Sequence, residues 1–308
     1  MIDHLHIKNF LAFPELEVPE LKLINLVAGK NGVGKTALLE ALWIHHSEGK
    51  TPTIERLKKR RKDSLVNSNA PILKIVGNRK SVWPKFVINE LLYEETQTGF
   101  ELLKIEGDKI LTDAYDWKGD FRTPQEGIFV YAQSGYSSLS ELWDKVALSP
   151  AEEDVISIIN GVINQEIERL SIFDTTIKVR LRGDDQPKNI ESLGEGVRRI
   201  LMLALAIVSS KNGLLLIDEI ETHLHHSVIR KLWKIIFEYA IKWNIQVVAT
   251  THSQDAIREF WYEAATREEY QKIGQVLRLQ VGREGKHEVI QFPFERLDAV
   301  MEMEMEIR

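Results

Sequence analysis

Eight residues constrain this chain more than any others: Gly29 to Thr36, GKNGVGKT, set between the apolar run Leu23 to Ala28 and the helix-forming run TALLEALWI. They match G-x-x-x-x-G-K-[ST] at every fixed position. Strand, glycine loop and helix in that order wrap successive backbone N–H groups around a phosphate at the positive end of a helix. Gly29, Gly32 and Gly34 permit the close backbone approach, and Asn31, Val33 and Ala37 complete the cradle. Lys35 sets a cation on the β and γ oxygens, and Thr36 offers a hydroxyl to Mg²⁺. The expected ligands are ATP and Mg²⁺.

Composition narrows the rest. At 308 residues, the chain has the length of one large domain or two interleaved lobes; a single head over 1–308 is expected. No apolar run approaches the roughly 20 residues needed to cross a bilayer, so no membrane partner is expected. The opening MIDHLHIKNF alternates like a strand and lacks the features of a secretory signal, which predicts a cytoplasmic protein. The absence of cysteine excludes disulfides, Cys-ligated zinc and a thiol nucleophile. A net charge of -6 opposes a surface that coats nucleic acid throughout. One basic stretch stands out, Arg56 to Lys62, RLKKRRK, either a solvated face or a contact for nucleic acid or an acidic partner.

Along the chain, short strands are expected at Leu5 to Lys8, around Leu16 to Val18, and at Leu23 to Ala28. ILKIVG, KFVINELLYEE and FELLKIEG, divided by turn signals, predict an antiparallel β lobe over about 70–128. GIFVYA reads as a buried strand ending at Gln133. Ser149-Pro150-Ala151-Glu152 carries N-cap, first-turn proline and capping-box signals, and predicts a helix to about Leu170 within a helical arm over about 140–190. Apolar strands at Leu214 to Ile217 and Ile245 to Thr250, alternating with helices, belong to a parallel sheet covered on both faces. QVLRLQV and HEVIQF predict a hairpin in the tail.

Three further motifs carry chemistry. In LLLIDEIE a buried strand delivers two carboxylates to its C-terminal end, where Asp218 can hold the metal and Glu219 can orient and deprotonate an attacking water. Ser192-Leu193-Gly194-Glu195-Gly196 opens an apolar helix, and a serine hydroxyl with glycine amides at a helix start forms an anion site. Ala249-Thr250-Thr251-His252-Ser253 ends another buried strand and makes His252 a functional candidate. Gln133 is the candidate for helping to hold Mg²⁺ and water, with Gln125 nearby as a competitor. His223, His225 and His226 could converge on a metal.

In the order IKNF, GKNGVGKT, Gln133, SLGEG, LLLIDEIETHLHH and TTHS, the chain resembles the ATPase domain of OLD-family and RecF-like ABC ATPases over about residues 1–265. The resemblance implies an α/β P-loop NTPase of ABC type: a mixed, largely parallel sheet core with an antiparallel β lobe and a helical arm. It also implies a homodimer, or a higher oligomer, in which each ATP lies between one subunit's phosphate loop and the other's Ser192, Gly194 and Glu195. His252 would be the switch histidine at the γ-phosphate, and the histidines after Glu219 would lie along the dimer interface. No long heptad tract separates Gln133 from Ser192, which excludes an SMC-type protein with an extended coiled coil. About 55 residues follow His252, too few for the Toprim nuclease domain of OLD nucleases.

Three functions compete. The resemblance favours an ATP-gated dimer that regulates or scaffolds a separate effector, a nuclease or toxin, in prokaryotic anti-phage defence. A RecF-like repair ATPase acting on DNA would use Arg56 to Lys62. A transporter subunit fits poorly with the antiparallel lobe.

Overall fold

The computed structural model describes residues 1–47, 53, 56–57, 60–61, 85–88, 91–96, 99–106, 109–111, 127–132, 136–163, 165–173, 176–303 and 306–307. Strand β3 (Ile24–Ala28) lies at the centre of a six-stranded sheet. Beside it run β13 (Gln246–Thr251), then β12 (Leu214–Ile217), then β8 (Ile128–Val130) at one edge, all parallel. On its other side β14 (Gly274–Val281) is parallel to β3, and β15 (His287–Pro293) closes the second edge antiparallel. The tail hairpin is thus part of the central sheet, because Val276 pairs with Leu26 and Leu277 with Val27.

Strands buried on both faces are apolar at every position, and here each face feeds its own core. Leu215, Ile217, Val247 and Ala249 pack on one side with α4 (Glu195–Ser209) and α5 (His226–Trp243). Leu214, Leu216, Val248 and Val27 pack on the other against α1 (Lys35–His46). Helix α1 is buried nearly all round, since its outer side is covered by the hairpin β1 (Leu5–Phe10) and β2 (Phe13–Val18). That hairpin continues into a second, wholly antiparallel sheet through β4 (Lys85–Ile88), β5 (Leu91–Thr96), β6 (Gly99–Glu106) and β7 (Lys109–Leu111). The strand expected in ILKIVG, 72–77, lies outside the described residues.

The segment about 140–190 departs from expectation. Helix α2 (Tyr136–Asp144) and α3 (Ala151–Val162) are present, but α3 stops eight residues short of Leu170. Chain 167–189 forms a three-stranded antiparallel sheet of β9 (Ile167–Phe173), β10 (Thr176–Leu181) and β11 (Lys188–Asn189), of which β10 is the strand that the alternation of TIKVRL predicts and β9 replaces the end of the expected helix. The side chain of Asn160 explains the stop. Its amide donates to the Ile167 carbonyl at 2.9 Å and accepts from the Ile167 N–H at 2.8 Å, holding an extended turn that a continuing helix cannot accommodate. Gly161 beside it weakens the last turn. Among the described residues, no helix is long and apolar enough to cross a membrane.

Candidate functional site

Strands β3, β13 and β12 are parallel neighbours, so the three loops leaving their C-terminal ends share one edge of the sheet. Those loops are GKNGVGKT, TTHS and DEIE. A cleft of about 320 Å³ opens there, lined from the loop by Asn31, Gly32, Gly34, Lys35, Thr36 and Ala37 and from β12 by Asp218 and Glu219. Leu11, Ala12 and Arg61 complete its wall. Gly32 and Gly34 have φ of 78° and 104°, backbone that side chains rarely adopt. A Cβ on Gly34 would also meet the buried Phe13 ring at 2.8 Å. Gly34→Ala is therefore expected to cost about 1–3 kcal/mol of stability and to deform the cradle, which a thermal melt with and without ATP will show.

Lys35 is buried, and its ammonium donates to the carbonyls of Gly29 (2.7 Å) and Lys30 (3.0 Å), bracing the loop from within. Burial pushes it below the usual lysine range, against the pull of Glu219, Glu221 and Asp218. Thr36 Oγ1 lies 3.0 and 3.1 Å from the two Asp218 carboxylate oxygens, and Thr250 Oγ1 donates to Asp218 Oδ1 at 2.8 Å. A hydroxyl beside a carboxylate is a hard oxygen donor set of the kind Mg²⁺ takes, so the residues present fit that ion. Val33 is buried beneath the loop and lines a separate hollow with Arg278 and Leu279 instead of this cleft.

Glu219 follows in a left-handed conformation, φ 48°, held on three sides. Its N–H donates to Thr250 Oγ1 at 2.8 Å, its Oε2 accepts from Thr222 Oγ1 at 3.2 Å, and its carbonyl accepts from Arg199 at 3.3 Å. The Arg199 guanidinium is buried and also donates to the carbonyls of Asp218 (3.0 Å) and Tyr131 (2.8 Å). Burial pushes it down to about 10, which leaves it charged at neutral pH. His252 is held by Glu221: its backbone N–H donates to Glu221 Oε1 at 2.9 Å, and its Nδ1 lies 3.1 Å from the same oxygen.

Sequence reasoning did not assign roles to Arg199, Glu221 and Thr250. Glu221 and Thr250 sit inside motifs quoted above and Arg199 on the helix that SLGEG opens, and only the fold reveals that they brace the neighbours. Conversely, the structure does not bring Ser192, Gly194 and Glu195 into the cleft. All three are exposed; Ser192 Oγ donates to Asn189 O at 2.6 Å, Gly194 has φ 98° at the start of α4, and Glu195 pairs with Arg198. Gln133 lies outside the described residues. His225 caps α5, accepting from the Ser227 N–H at 3.4 Å, and its ring lies tilted at 40° to that of His226, 4.0 Å between centroids. The basic stretch divides: Leu57 is buried, Arg61 pairs with the buried Glu40 at 2.7 Å, and Lys58, Lys59 and Lys62 lie outside the described residues.

Fold and cleft together define an α/β phosphate-loop domain with the fold of SMC heads. Residues 106–258 match the family model described as "AAA domain, putative AbiEii toxin, Type IV TA system". The chain is 24% identical to an ATP/GTP phosphatase of Helicobacter pylori over 83% of its own length and 86% of that protein's. It is 21% identical to the Septu protein PtuA of Bacillus thuringiensis, over 76% of this chain and 67% of that one. Among solved structures, an SMC head bound to the C-winged helix domain of ScpA covers 97% of this chain, and 99% of that chain is matched, at TM-score 0.62 and 14% identity. The SMC head domain of Thermotoga maritima is matched over 94% of this chain and 97% of its own, at TM-score 0.55 and 15% identity.

Proposed function

We propose that this chain hydrolyses ATP as an ATP-sandwiched homodimer and uses that cycle to regulate or scaffold a separate effector, a nuclease or toxin, in prokaryotic anti-phage defence. The observation that carries the reading is the division of the site. Lys35, Thr36, Asp218 and Glu219 converge on one cleft, whereas the second anion-binding element, Ser192 to Gly196, faces solvent at the start of α4. A second copy placed head to tail supplies that element to the first copy's cleft.

In this mechanism the loop amides and Lys35 bind the β and γ oxygens, the ammonium turning from the Gly29 carbonyl toward phosphate. Thr36 and Asp218 hold Mg²⁺, which when bound neutralises charge on those oxygens. Glu219 accepts the proton of the attacking water, and the left-handed turn fixed by Thr250 and Arg199 aims its carboxylate into the cleft. Glu221 holds His252 at the end of β13, outside the residues that line the cleft, and on this reading His252 turns to the γ-phosphate when ATP is bound. Support for hydrolysis comes from the phosphatase relative, and support for a toxin-linked role from the description of the matched family model. The resemblance to stand-alone OLD-type ATPases, which sit beside separate effectors, points the same way.

The first test is assembly. Sedimentation of the purified protein with ATP should yield a dimer that Lys35→Ala prevents, with ATP affinity falling by roughly tenfold or more as a phosphate-binding cation is lost. A protein that remains monomeric at saturating ATP would defeat the dimer.

The RecF-like reading, in which the chain acts on DNA, rests on the stretch Arg56 to Lys62, of which Arg56 and Arg60 are exposed among the described residues. Arg61 is committed to Glu40 and to the ATP cleft.

A further inference from the structure

Beside β8, at the edge of the central sheet, lies a second cavity of about 310 Å³, within the size range of small-ligand sites, roughly 300–1,000 Å³. Its wall is aromatic. Phe129 and Tyr131 alternate on one face of the chain at β8 and stack at 3.9 Å, and Trp43 of α1 meets Phe129 edge-on at 5.6 Å. The wall is rigid, because Trp43 Nε1 donates to the Gly127 carbonyl at 2.9 Å and the Tyr131 carbonyl accepts from Arg199. Its rim is cationic: Arg56, Arg60 and Lys145 are exposed, against Glu141 as the acid of the lining. Arg60 lies over the Tyr131 ring at 3.2 Å from its centroid.

Flat aromatic walls accept a base by stacking, and guanidinium and ammonium groups at the rim accept a phosphate. In a protein of net charge -6, such a concentration of cations around an aromatic hollow is a local device for an anion. We propose that this pocket is a second nucleotide site, separate from the phosphate-loop cleft, and that it takes a free nucleoside monophosphate. The base extends the Phe129–Tyr131 stack by lying on the Tyr131 face that Arg60 covers, Arg60 moving to the phosphate, and Lys145 joins it. The small volume, about 310 Å³, and the overall negative charge favour one free nucleotide over a unit within a nucleic-acid strand.

The test uses adenosine monophosphate as the probe and the full chain carrying Lys35→Ala, so that the phosphate-loop cleft contributes little and failure of the ATPase reading does not affect the result. Calorimetry should show saturable binding, weakened about tenfold or more by Arg60→Glu and by Lys145→Glu, the scale of losing a charge-assisted contact. Both residues are exposed, so both variants should melt like their parent. If Arg60→Glu does not fold, Lys145→Glu carries the comparison. Adenosine and inorganic phosphate, each offering half of the recognition, should bind more weakly than the monophosphate. No saturable binding at millimolar probe, or binding that neither substitution changes, overturns the site. An oligothymidylate that binds through Arg60 and Lys145 while the monophosphate does not would overturn the free-nucleotide occupant and assign the pocket to a strand.

Discussion

Glu219→Gln is expected to slow ATP hydrolysis by about 10²–10⁴-fold, the contribution of a positioned general base, with ATP affinity nearly unchanged. The separation follows from how the side chain is held. The backbone of Glu219 is fixed by Thr250 and Arg199 and its carboxylate accepts from Thr222, so an isosteric amide occupies the same place without accepting a proton. Phosphate contacts, in contrast, come from the loop amides and Lys35, which the substitution leaves in place. A loss confined to kcat, with binding retained, is the mark of an interaction made in the transition state. The measurements are steady-state phosphate release and equilibrium ATP binding. Hydrolysis at the parent rate would remove Glu219 from the role assigned to it.

Arg199→Leu is expected to have the largest effect on stability, about 3 kcal/mol or more, because buried carbonyls left without their donor each cost about 1–3 kcal/mol. Arg199 serves three of them, on Tyr131, Asp218 and Glu219, and thereby ties β8 to the loop that carries both carboxylates. For a chain of this length that loss corresponds to a fall in Tm of roughly 5–10 °C. Arg199→Lys keeps the charge but not the planar fork, and should fall between the two. Arg182→Ala removes an exposed pair with Glu166 and should leave the melting midpoint where it was. Equal midpoints for Arg199→Leu and its parent would show that the carbonyls find other donors.

Much of this site was legible because its chemistry is local. GKNGVGKT contains its own cradle, and LLLIDE displays both the buried strand and the carboxylates that end it. Neighbouring strands β3, β13 and β12 then bring these separate motifs to one edge, which alternation of apolar runs could suggest but not order. The braces were hidden because Arg199, Glu221 and Thr250 act across 19 to 68 residues of chain, through partners that spacing does not reveal. The helix past Val162 was misread for a related reason. IERLSIF allows a helical face, and what forbids it is the side chain of Asn160 gripping the backbone of Ile167. Likewise QVLRLQV looks like an ordinary hairpin strand until its parallel pairing with β3 places it in the core. The similarity to SMC heads concerns the head alone: the longest helix among the described residues is α5, with 18 residues.

The central claim is that one ATP site is built from two copies, Gly29 to Thr36 from one and Ser192 to Gly196 from the other. It is tested most directly by mixing two inactive variants. Lys35→Ala lacks a working loop, and Ser192→Arg blocks the element presented to the partner. Neither homodimer retains a complete site, but each heterodimer regains one. A freely exchanging equal mixture should therefore recover between about a quarter of the parent ATPase activity, if subunits pair at random, and about half, if only mixed dimers form, since each mixed dimer carries one of two symmetric sites. A mixture as inactive as its components, with exchange of subunits verified, would contradict the shared site.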